Sequence, residues 1–439
     1  MPVTNCTQAV FDFPVLKRRK VQAAFSGGEI TSDGGALLLR QIDRRLGLMK
    51  AIDAVIPDPR NPDYITHTQL SLLRQRVYGL SLGYADLNDH KTLRNDPALQ
   101  TAVDREQELG SQSTLCRLEG RTGRKAAVDI HKVLIDQFIA SFDAPPDELM
   151  LDFDATDDPI HGLQEGRFFH GYYDHYCFLP LYVFCGDQLL VSYLRPSNID
   201  GAKHAWAILA LLTKRLRQEW PEVKIIFRGD SGFCRHRMLG WCERHDVKYI
   251  VGIARNKRLE NVIEPAMQLV EQLLELTGEK QREFFRFHYA AGTWKQSRQV
   301  IAKLEVTDKG RNPRFIITNL EGDKQVLYDD LYCARGDMEN RIKEQQMGLF
   351  ADRTSAHYWW ANQFRLLLSS LAYVLMEGIR RLGLKGTELA RAQVGTIRLK
   401  LLKIGAVILR NTRRIRFLLS TAYPYQDLFA VVVARLKPG

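Results

Sequence analysis

The chain has 439 residues, 45% of them hydrophobic, and a formal charge of +11. The hydrophobic fraction excludes an intrinsically disordered protein, and the length allows two or three domains with buried cores. The excess of positive charge favours a polyanionic partner, and nucleic acid is the leading class.

The cysteines and the apolar runs indicate where the protein works. Seven cysteines, Cys6 among them, are scattered without a Cys-x-x-Cys pair, which predicts reduced thiols and excludes a zinc knuckle or a disulfide framework. The first twenty residues lack the apolar core of a signal peptide, and the run 366–376 is shorter than the ~20 residues of a membrane span. We therefore expect an intracellular protein without a membrane partner.

The first 144 residues are predicted to be mainly helical. Amphipathic runs cover 36–46 and 68–82, and Ser113 is placed to cap a further helix that presents basic side chains from Arg117 onward. A basic helix of this kind suits the major groove of DNA, and a purely structural helical scaffold is the alternative.

An acidic strand end follows this region. Leu151 and Phe153 alternate with Asp152 and Asp154, the period-two pattern of a strand with one apolar face. Both carboxylates point to the same face, so spacing alone does not choose between them. We prefer Asp154 as the functional residue because it lies nearer the end of the strand.

Two more acids occur in comparable settings. Asp230 follows the β-rich run 223–227, and glycines on both sides of it permit a sharp turn. Glu339 lies in a predicted helix, where residues three or four positions apart share a face. The residues on that face are Tyr332, Arg335, Glu339 and Lys343.

The later elements complete an α/β fold prediction. Strands and one helix fill 145–260, and the helical pattern returns over 326–382, so these two segments are predicted to form one α/β core. Between them, 261–325 contains a helix and three or four strands, which we interpret as a β-rich insertion. The segment 383–439 is predicted to be a helical tail, rich in arginine and lysine, that contacts phosphates.

The three acids predict a metal-dependent reaction. Asp154, Asp230 and Glu339 supply the oxygen ligands that two Mg²⁺ ions require, and Mn²⁺ is an accepted substitute. One ion would activate the attacking oxygen and the other would stabilise the leaving 3′ oxygen. No nucleophilic side chain is then needed, in agreement with the lack of a G-x-S-x-G elbow, a Walker loop or an H-E-x-x-H helix in the sequence.

A phosphatase of the haloacid dehalogenase type is the competing enzyme. Residues 152–156 fit its D-x-D-x-T loop, in which Asp152 would attack phosphorus and Asp154 would act as acid and base. That class also needs a later acidic pair with a preceding lysine, which we do not find. A phosphatase function would also leave the basic C-terminal tail without a role.

Short motifs in a fixed order give the chain a specific resemblance. They are TSDGG (31–35), GYADLND (83–89), LRNDP (93–97), SQST (111–114), LDFDAT (151–156), RGDSGF (228–233) and ENRIKE (339–344). With these motifs the chain resembles, over nearly its whole length, the bacterial DDE transposases of insertion-sequence family 1380.

The resemblance implies an architecture and an activity. The expected fold is a ribonuclease H-like mixed-sheet core with a β-rich insertion, an N-terminal helical DNA-binding region and a basic helical C-terminal tail. The expected activity is cut-and-paste transposition by a bacterial, nucleoid-associated homodimer, with terminal inverted repeats and target DNA as double-stranded DNA partners. A transposase-derived DNA-binding protein that no longer cuts is the alternative from a different class.

The resemblance also assigns residues around the third acid. Related transposases carry a Y-x2-R-x3-E-x6-K spacing, which Tyr332, Arg335 and Glu339 match. Gln346 stands at the lysine position, so either this phosphate contact is lost or Lys343, one turn after Glu339, provides it. The predicted DNA contacts are Tyr332, Arg335, Lys343 and Arg228.

Overall fold

The computed structural model describes residues 9–437, so Cys6 lies outside the described part, and the other six cysteines are free thiols. The chain divides into two compact units. Unit 1 is Met1–Leu118 together with Leu375–Gly439, and unit 2 is Glu119–Val374. Within residues 9–437, no helix combines the length and the apolar character needed to cross a membrane.

The strands and helices follow one another along both units. The strands are β1 Val10–Leu16, β2 Arg19–Ala24, β3 Ile30–Thr31, β4 Glu148–Ala155, β5 Asp158–Pro159, β6 Phe168–His170, β7 His175–Phe178, β8 Leu181–Cys185, β9 Gln188–Tyr193, β10 Lys224–Gly229, β11 Lys248–Ile253, β12 Gln281–Tyr289, β13 Arg298–Thr307, β14 Gly310–Arg311, β15 Arg314–Thr318, β16 Ala406–Arg410 and β17 Ile415–Leu419. The α-helices are α1 Ala36–Leu46, α2 Leu48–Val55, α3 Gln69–Leu82, α4 His90–Leu93, α5 Pro97–Ala102, α6 Gln112–Gly120, α7 Arg124–Ile139, α8 Ala205–Glu219, α9 His236–Arg244, α10 Lys257–Thr277, α11 Lys324–Val326, α12 Gly336–Lys343, α13 Trp359–Gly378, α14 Val394–Ile397 and α15 Gln426–Arg435.

Unit 2 is built on a mixed nine-stranded sheet in the order β12-β13-β15-β11-β10-β4-β8-β9, with β14 paired to β13. Strands β4, β10 and β11 are parallel, whereas β8 runs antiparallel to β4 and forms a hairpin with β9. Apolar side chains of β4, β10, α8 and α10 share one buried core. The predicted mixed α/β fold is confirmed, and the parallel strands bring the ends of β4 and β10 together.

The segment 261–325, predicted to be a β-rich insertion, does not form a sheet of its own. Strand β15 pairs with β11 and with β13, so the strands of this segment continue the same sheet that carries β4. Their apolar side chains, including Val300 and Ile317, belong to the core shared with β4 and β10. The alternation of residues along these strands predicts a strand but does not show which sheet the strand will join.

Unit 1 combines helices with two small sheets, and its C-terminal segment differs from the predicted helical tail. Strands β1 and β2 form a hairpin, and the N-terminal strand β3 forms a three-stranded sheet with β16 and β17. Strands β16 and β17 lie in the segment 383–439, predicted to be helical. The boundary falls at residue 118 rather than 144, since α7 belongs to unit 2. There His131 of α7 lies 3.2 Å from the Ser192 carbonyl oxygen of β9.

Several motif residues hold unit 1 together. The buried carboxylate of Asp33 accepts a hydrogen bond of 2.7 Å from the Tyr84 hydroxyl and pairs with the Lys403 ammonium group at 2.6 Å. The Thr31 hydroxyl donates to Asp96 at 2.8 Å. These motifs therefore have a structural role, joining segments that are far apart in the sequence.

Candidate active site

Strand β4 carries both candidate aspartates, and their surroundings differ. Arg228, opposite Asp152 on β10, donates from Nη2 to Asp152 Oδ2 at 2.7 Å and from Nε to Oδ1. Both side chains are buried, and Arg228 also donates to the Leu331 carbonyl oxygen. Because both oxygens of Asp152 are engaged, the structure does not favour this residue as the nucleophile of a phosphatase.

The same contacts change the interpretation of Arg228. We predicted that it contacts DNA, but its guanidinium group is enclosed between Asp152 and the Leu331 carbonyl oxygen. Sequence spacing does not reveal this, because the ion pair joins two strands through their register rather than through a local pattern. Arg228 instead holds the ends of β4 and β10 together.

Asp154 lies at the end of β4, where its side chain is 15% exposed. Its Oδ1 accepts a hydrogen bond of 2.9 Å from the Ala155 N–H. Burial raises the pKa of Asp154 to about 7, with the charges of Asp230 and Glu339 acting in the same direction and Arg335 opposing them. A buried carboxyl group among like charges is typical of an active site.

Asp230 follows β10 and shapes the backbone around itself. Its Oδ1 accepts from the Gly232 N–H at 2.9 Å, which caps the short helical turn Ser231–Phe233. On the neighbouring strand β11, a Cβ at Gly252 would lie 2.6 Å from the Tyr332 hydroxyl and 2.9 Å from the Ser231 nitrogen. Tyr332 thus packs directly against this strand end, and only glycine fits beneath it.

The helical segment around α12 brings Glu339 and Arg335 to the ends of β4 and β10. Arg335 Nη2 lies 2.6 Å from Glu339 Oε1, and its Nη1 lies 3.7 Å from Asp154 Oδ2. Turns of π-helix flank α12 at Leu327–Tyr332 and Glu344–Gly348, and such turns are frequent at functional sites. Arg335 is therefore a cation placed between two of the predicted catalytic acids.

Two further positions of this segment have different environments. The Gln346 side chain donates to the Asp157 carbonyl oxygen at 3.0 Å and so ties the segment to the loop after β4. Lys343, at the end of α12, is exposed. The residue at the lysine position of the expected motif thus has a structural contact, and the phosphate contact of Lys343 stays a prediction.

Within residues 9–437, no three histidine, cysteine, aspartate or glutamate side chains stand together as a formed metal site. The three predicted acids lie close enough for the charges of Asp230 and Glu339 to act on Asp154, but Arg335 separates Glu339 from Asp154. The donor set itself fits hard divalent cations, since it consists of carboxylate oxygens at strand ends and on a helix. Arg335 would have to leave Glu339 before all three acids could bind the same ions.

A second polar group lies beside Asp154, and sequence reasoning did not assign it a function. His175 Nε2 lies 2.9 Å from Asp157 Oδ2. Burial, together with the charges of Asp157 and Asp154, raises the pKa of Tyr173 to about 12. The dense aromatic run over 168–178 is the feature of the sequence that points to this group.

Two strand-end aspartates and a helical glutamate on a mixed sheet are the features of the DDE class of transposase. The chain belongs to one family of that class, transposase DDE domain group 1, whose model matches residues 13–438. No curated protein matches the chain. A similar solved structure is the cryo-EM structure of the piggyBac transposase synaptic complex with hairpin DNA, with a TM-score of 0.43, 12% identity and coverage of 92% of this chain and 82% of that chain.

Proposed function

We propose that this transposase moves an insertion sequence by cutting phosphodiester bonds at terminal inverted repeats and joining the freed 3′-hydroxyl to target DNA. The observation that carries the proposal is the meeting of Asp154, Asp230, Arg335 and Glu339 at the ends of β4 and β10. We also propose a ribonuclease H-like core, supported by the order β9-β8-β4-β10-β11 with antiparallel β8 and parallel β10 and β11. The ordered motifs support insertion-sequence family 1380.

The carboxylates have a defined task in this proposal. Asp154, Asp230 and Glu339 would hold two divalent cations, Mg²⁺ or Mn²⁺, which supply activation of the attacking oxygen and stabilisation of the leaving oxygen. Asp154 and Asp230 are positioned by strands, and the Asp152–Arg228 ion pair holds those strands in register. Glu339 lies on a helix and its side chain is 41% exposed, against 15% for Asp154, so it has more freedom to adjust than Asp154.

Arg335 would exchange partners when DNA binds. In the isolated chain its guanidinium group balances the charges of Asp154 and Glu339. A phosphate of the bound strand offers the same guanidinium group a bidentate partner, which frees Glu339. Tyr332 and Lys343 would contact the same strand from the same helical segment.

The basic C-terminal segment supports DNA binding over a narrower surface than the sequence predicts. Lys403 pairs with Asp33, Arg380 is buried, and Arg398 donates to the Ser81 carbonyl oxygen. The exposed cations of the β16–β17 hairpin are the better candidates for phosphate contacts, and they are Arg413, Arg414 and Arg416. Both ends of an element must be cut together, so we propose a homodimer on double-stranded DNA.

A nicking assay on DNA that flanks the protein's own gene tests this function. We expect strand cleavage with Mg²⁺, none with EDTA, and loss of cleavage in Asp230→Ala and Asp154→Asn. The control is Asp308→Ala, which removes an exposed acid on the turn between β13 and β14. Binding without cleavage would identify a DNA-binding protein that no longer cuts, and cleavage that survives Asp230→Ala would overturn the mechanism.

A further inference from the structure

A small aromatic sheet lies beside the candidate active site. We call residues 158–178 the aromatic tongue, because β5, β6 and β7 form a separate three-stranded sheet in the order β5-β7-β6. In the sequence, the tongue begins shortly after Asp154, just beyond the end of β4. The proposed catalytic chemistry does not use it.

Aromatic rings cover much of the tongue. Tyr172 is 85% exposed, Phe169 52%, Tyr176 45% and Phe168 41%. The rings of Phe169 and Tyr176 meet edge to face at 5.7 Å, and those of Tyr172 and Tyr173 meet in the same way at 5.0 Å. Clustered exposed aromatic rings of this kind mark an interaction site.

Two contacts place the tongue next to the carboxylates. His175 of the tongue pairs with Asp157, and the Asp157 carbonyl oxygen accepts from Gln346 on the segment that carries the third acid. Tyr173 lies within reach of the charge of Asp154 as well as that of Asp157. DNA bound at the carboxylates would therefore pass the tongue.

The tip of the tongue is a fixed turn. Asp174 adopts a φ of 58°, and its N–H donates to the His170 carbonyl oxygen at 2.8 Å. The Tyr172 N–H donates to His170 Nδ1 at 3.3 Å, and the Glu165 N–H ties the base of the tongue to the His357 carbonyl oxygen at 2.9 Å. The backbone that carries Tyr172 is thus held in place while its ring stays uncovered, which lowers the entropy cost of binding.

The chemistry of this surface suits a nucleic-acid base better than a phosphate. The tongue contains a single arginine and no lysine, and the guanidinium of that arginine, Arg167, already lies 4.6 Å from the centre of the Tyr176 ring. Flat aromatic rings stack on unpaired bases of any sequence, with about 1–3 kcal/mol for each base.

We propose that the tongue binds an unpaired DNA base next to the scissile phosphate, with the ring of Tyr172 stacked on that base. The inference rests on the proposed transposase function and adds a subsite to it. Stacking would keep the DNA strand end beside Asp154 between its cleavage and its joining to target DNA.

Photocrosslinking tests the subsite without requiring cleavage. The full-length chain with Asp230→Ala is bound to a forked duplex of gene-flanking sequence that carries one unpaired 5-iodouracil at the junction. We expect an adduct on Tyr172, identified by mass spectrometry, whose yield falls about tenfold in Tyr172→Ala and is retained in Tyr172→Phe. Tyr64→Ala, which removes a tyrosine that is 86% exposed in unit 1, should leave the yield unchanged.

The outcomes separate this inference from the proposed function. An adduct yield that is unchanged in both Tyr172→Ala and Phe169→Ala, or an adduct located elsewhere, overturns the subsite. If the wild-type chain cleaves flanking DNA and no tongue adduct forms, only the subsite fails. If the adduct forms and the wild-type chain cuts no DNA, the transposase chemistry fails and base binding by the tongue stands.

Discussion

At the scale of single residues, the charge balance around Asp154 determines how the site behaves without DNA. Asp154 is nearly enclosed, and its pKa of about 7 means that ionising it in the folded state is unfavourable. Arg335 is the one cation in contact with both Asp154 and Glu339 among the ion pairs of the described residues. Each of these residues supports a direct test.

The raised pKa of Asp154 predicts a stability that depends on pH. The unfolded carboxyl group ionises near its ordinary pKa of 3.8 and the folded one near 7, so the destabilisation is absent below about pH 4 and complete above about pH 7. In EDTA, Asp154→Asn should gain stability relative to wild type across this range, by at most about 4 kcal/mol. Urea unfolding at pH 5 and pH 8 measures the difference, and equal differences at the two pH values would contradict it.

Arg335 should compete with divalent cations and also bind DNA. We expect Arg335→Gln to bind Mn²⁺ several-fold more tightly than wild type when DNA is absent, because the acids lose their internal counter-charge. The same variant should bind DNA more weakly, with the slope of log K against log salt reduced by about 1. Electron paramagnetic resonance of free Mn²⁺ and a salt titration measure the two effects, and Arg341→Gln, in the adjoining helix α12, is the control.

At the scale of elements, the site depends on how closely Tyr332 approaches β11. Gly252 makes that approach possible, since any side chain there would meet the Tyr332 hydroxyl and the backbone before Ser231. The turn that carries Asp230 and the helical segment that carries Glu339 are thus set against one strand. A small change in β11 should therefore shift the positions of both Asp230 and Glu339.

We expect Gly252→Ala to lower the cleavage rate at least about tenfold with little change in helix content, because displacing the Asp230 turn misplaces a reacting group. Gly292→Ala is the matched control, since a Cβ at Gly292 meets nothing within 4 Å. Rates are measured on gene-flanking DNA, and circular dichroism reports the fold. Wild-type cleavage in Gly252→Ala would show that Tyr332 and Asp230 do not need this contact.

At the scale of the whole molecule, the charge of +11 overstates the surface available to DNA. Several cations of the C-terminal segment are used inside unit 1, as the Lys403–Asp33 pair shows. The exposed arginines of the β16–β17 hairpin remain accessible. Net charge and local charge therefore make different predictions for DNA binding.

Replacing Arg413, Arg414 and Arg416 by alanine should weaken DNA binding uniformly across sequences and lower the salt slope by about 3. The control replaces three exposed lysines of unit 2, Lys295, Lys309 and Lys324, and changes the net charge equally. Fluorescence anisotropy over a range of salt concentrations measures both. Equal losses in the two triple variants would mean that net charge, and not the hairpin, governs binding.

Much of the fold and site could be predicted from the sequence by local patterns. Period-two alternation located β4, glycines marked the turn at Asp230, and helical spacing placed Arg335 near Glu339, because each signal depends on residues close together in the chain. The resemblance to transposases, in contrast, depended on the order and number of short motifs along nearly the whole chain.

Only the tertiary structure decided which partners these side chains have. The pairing of Arg228 with Asp152, the position of Arg335 against Asp154, and the joining of β15 to β11 all depend on register and packing between segments far apart in the chain. A side chain's spacing determines the face on which it lies, whereas its neighbour across that face is set only when the strands assemble.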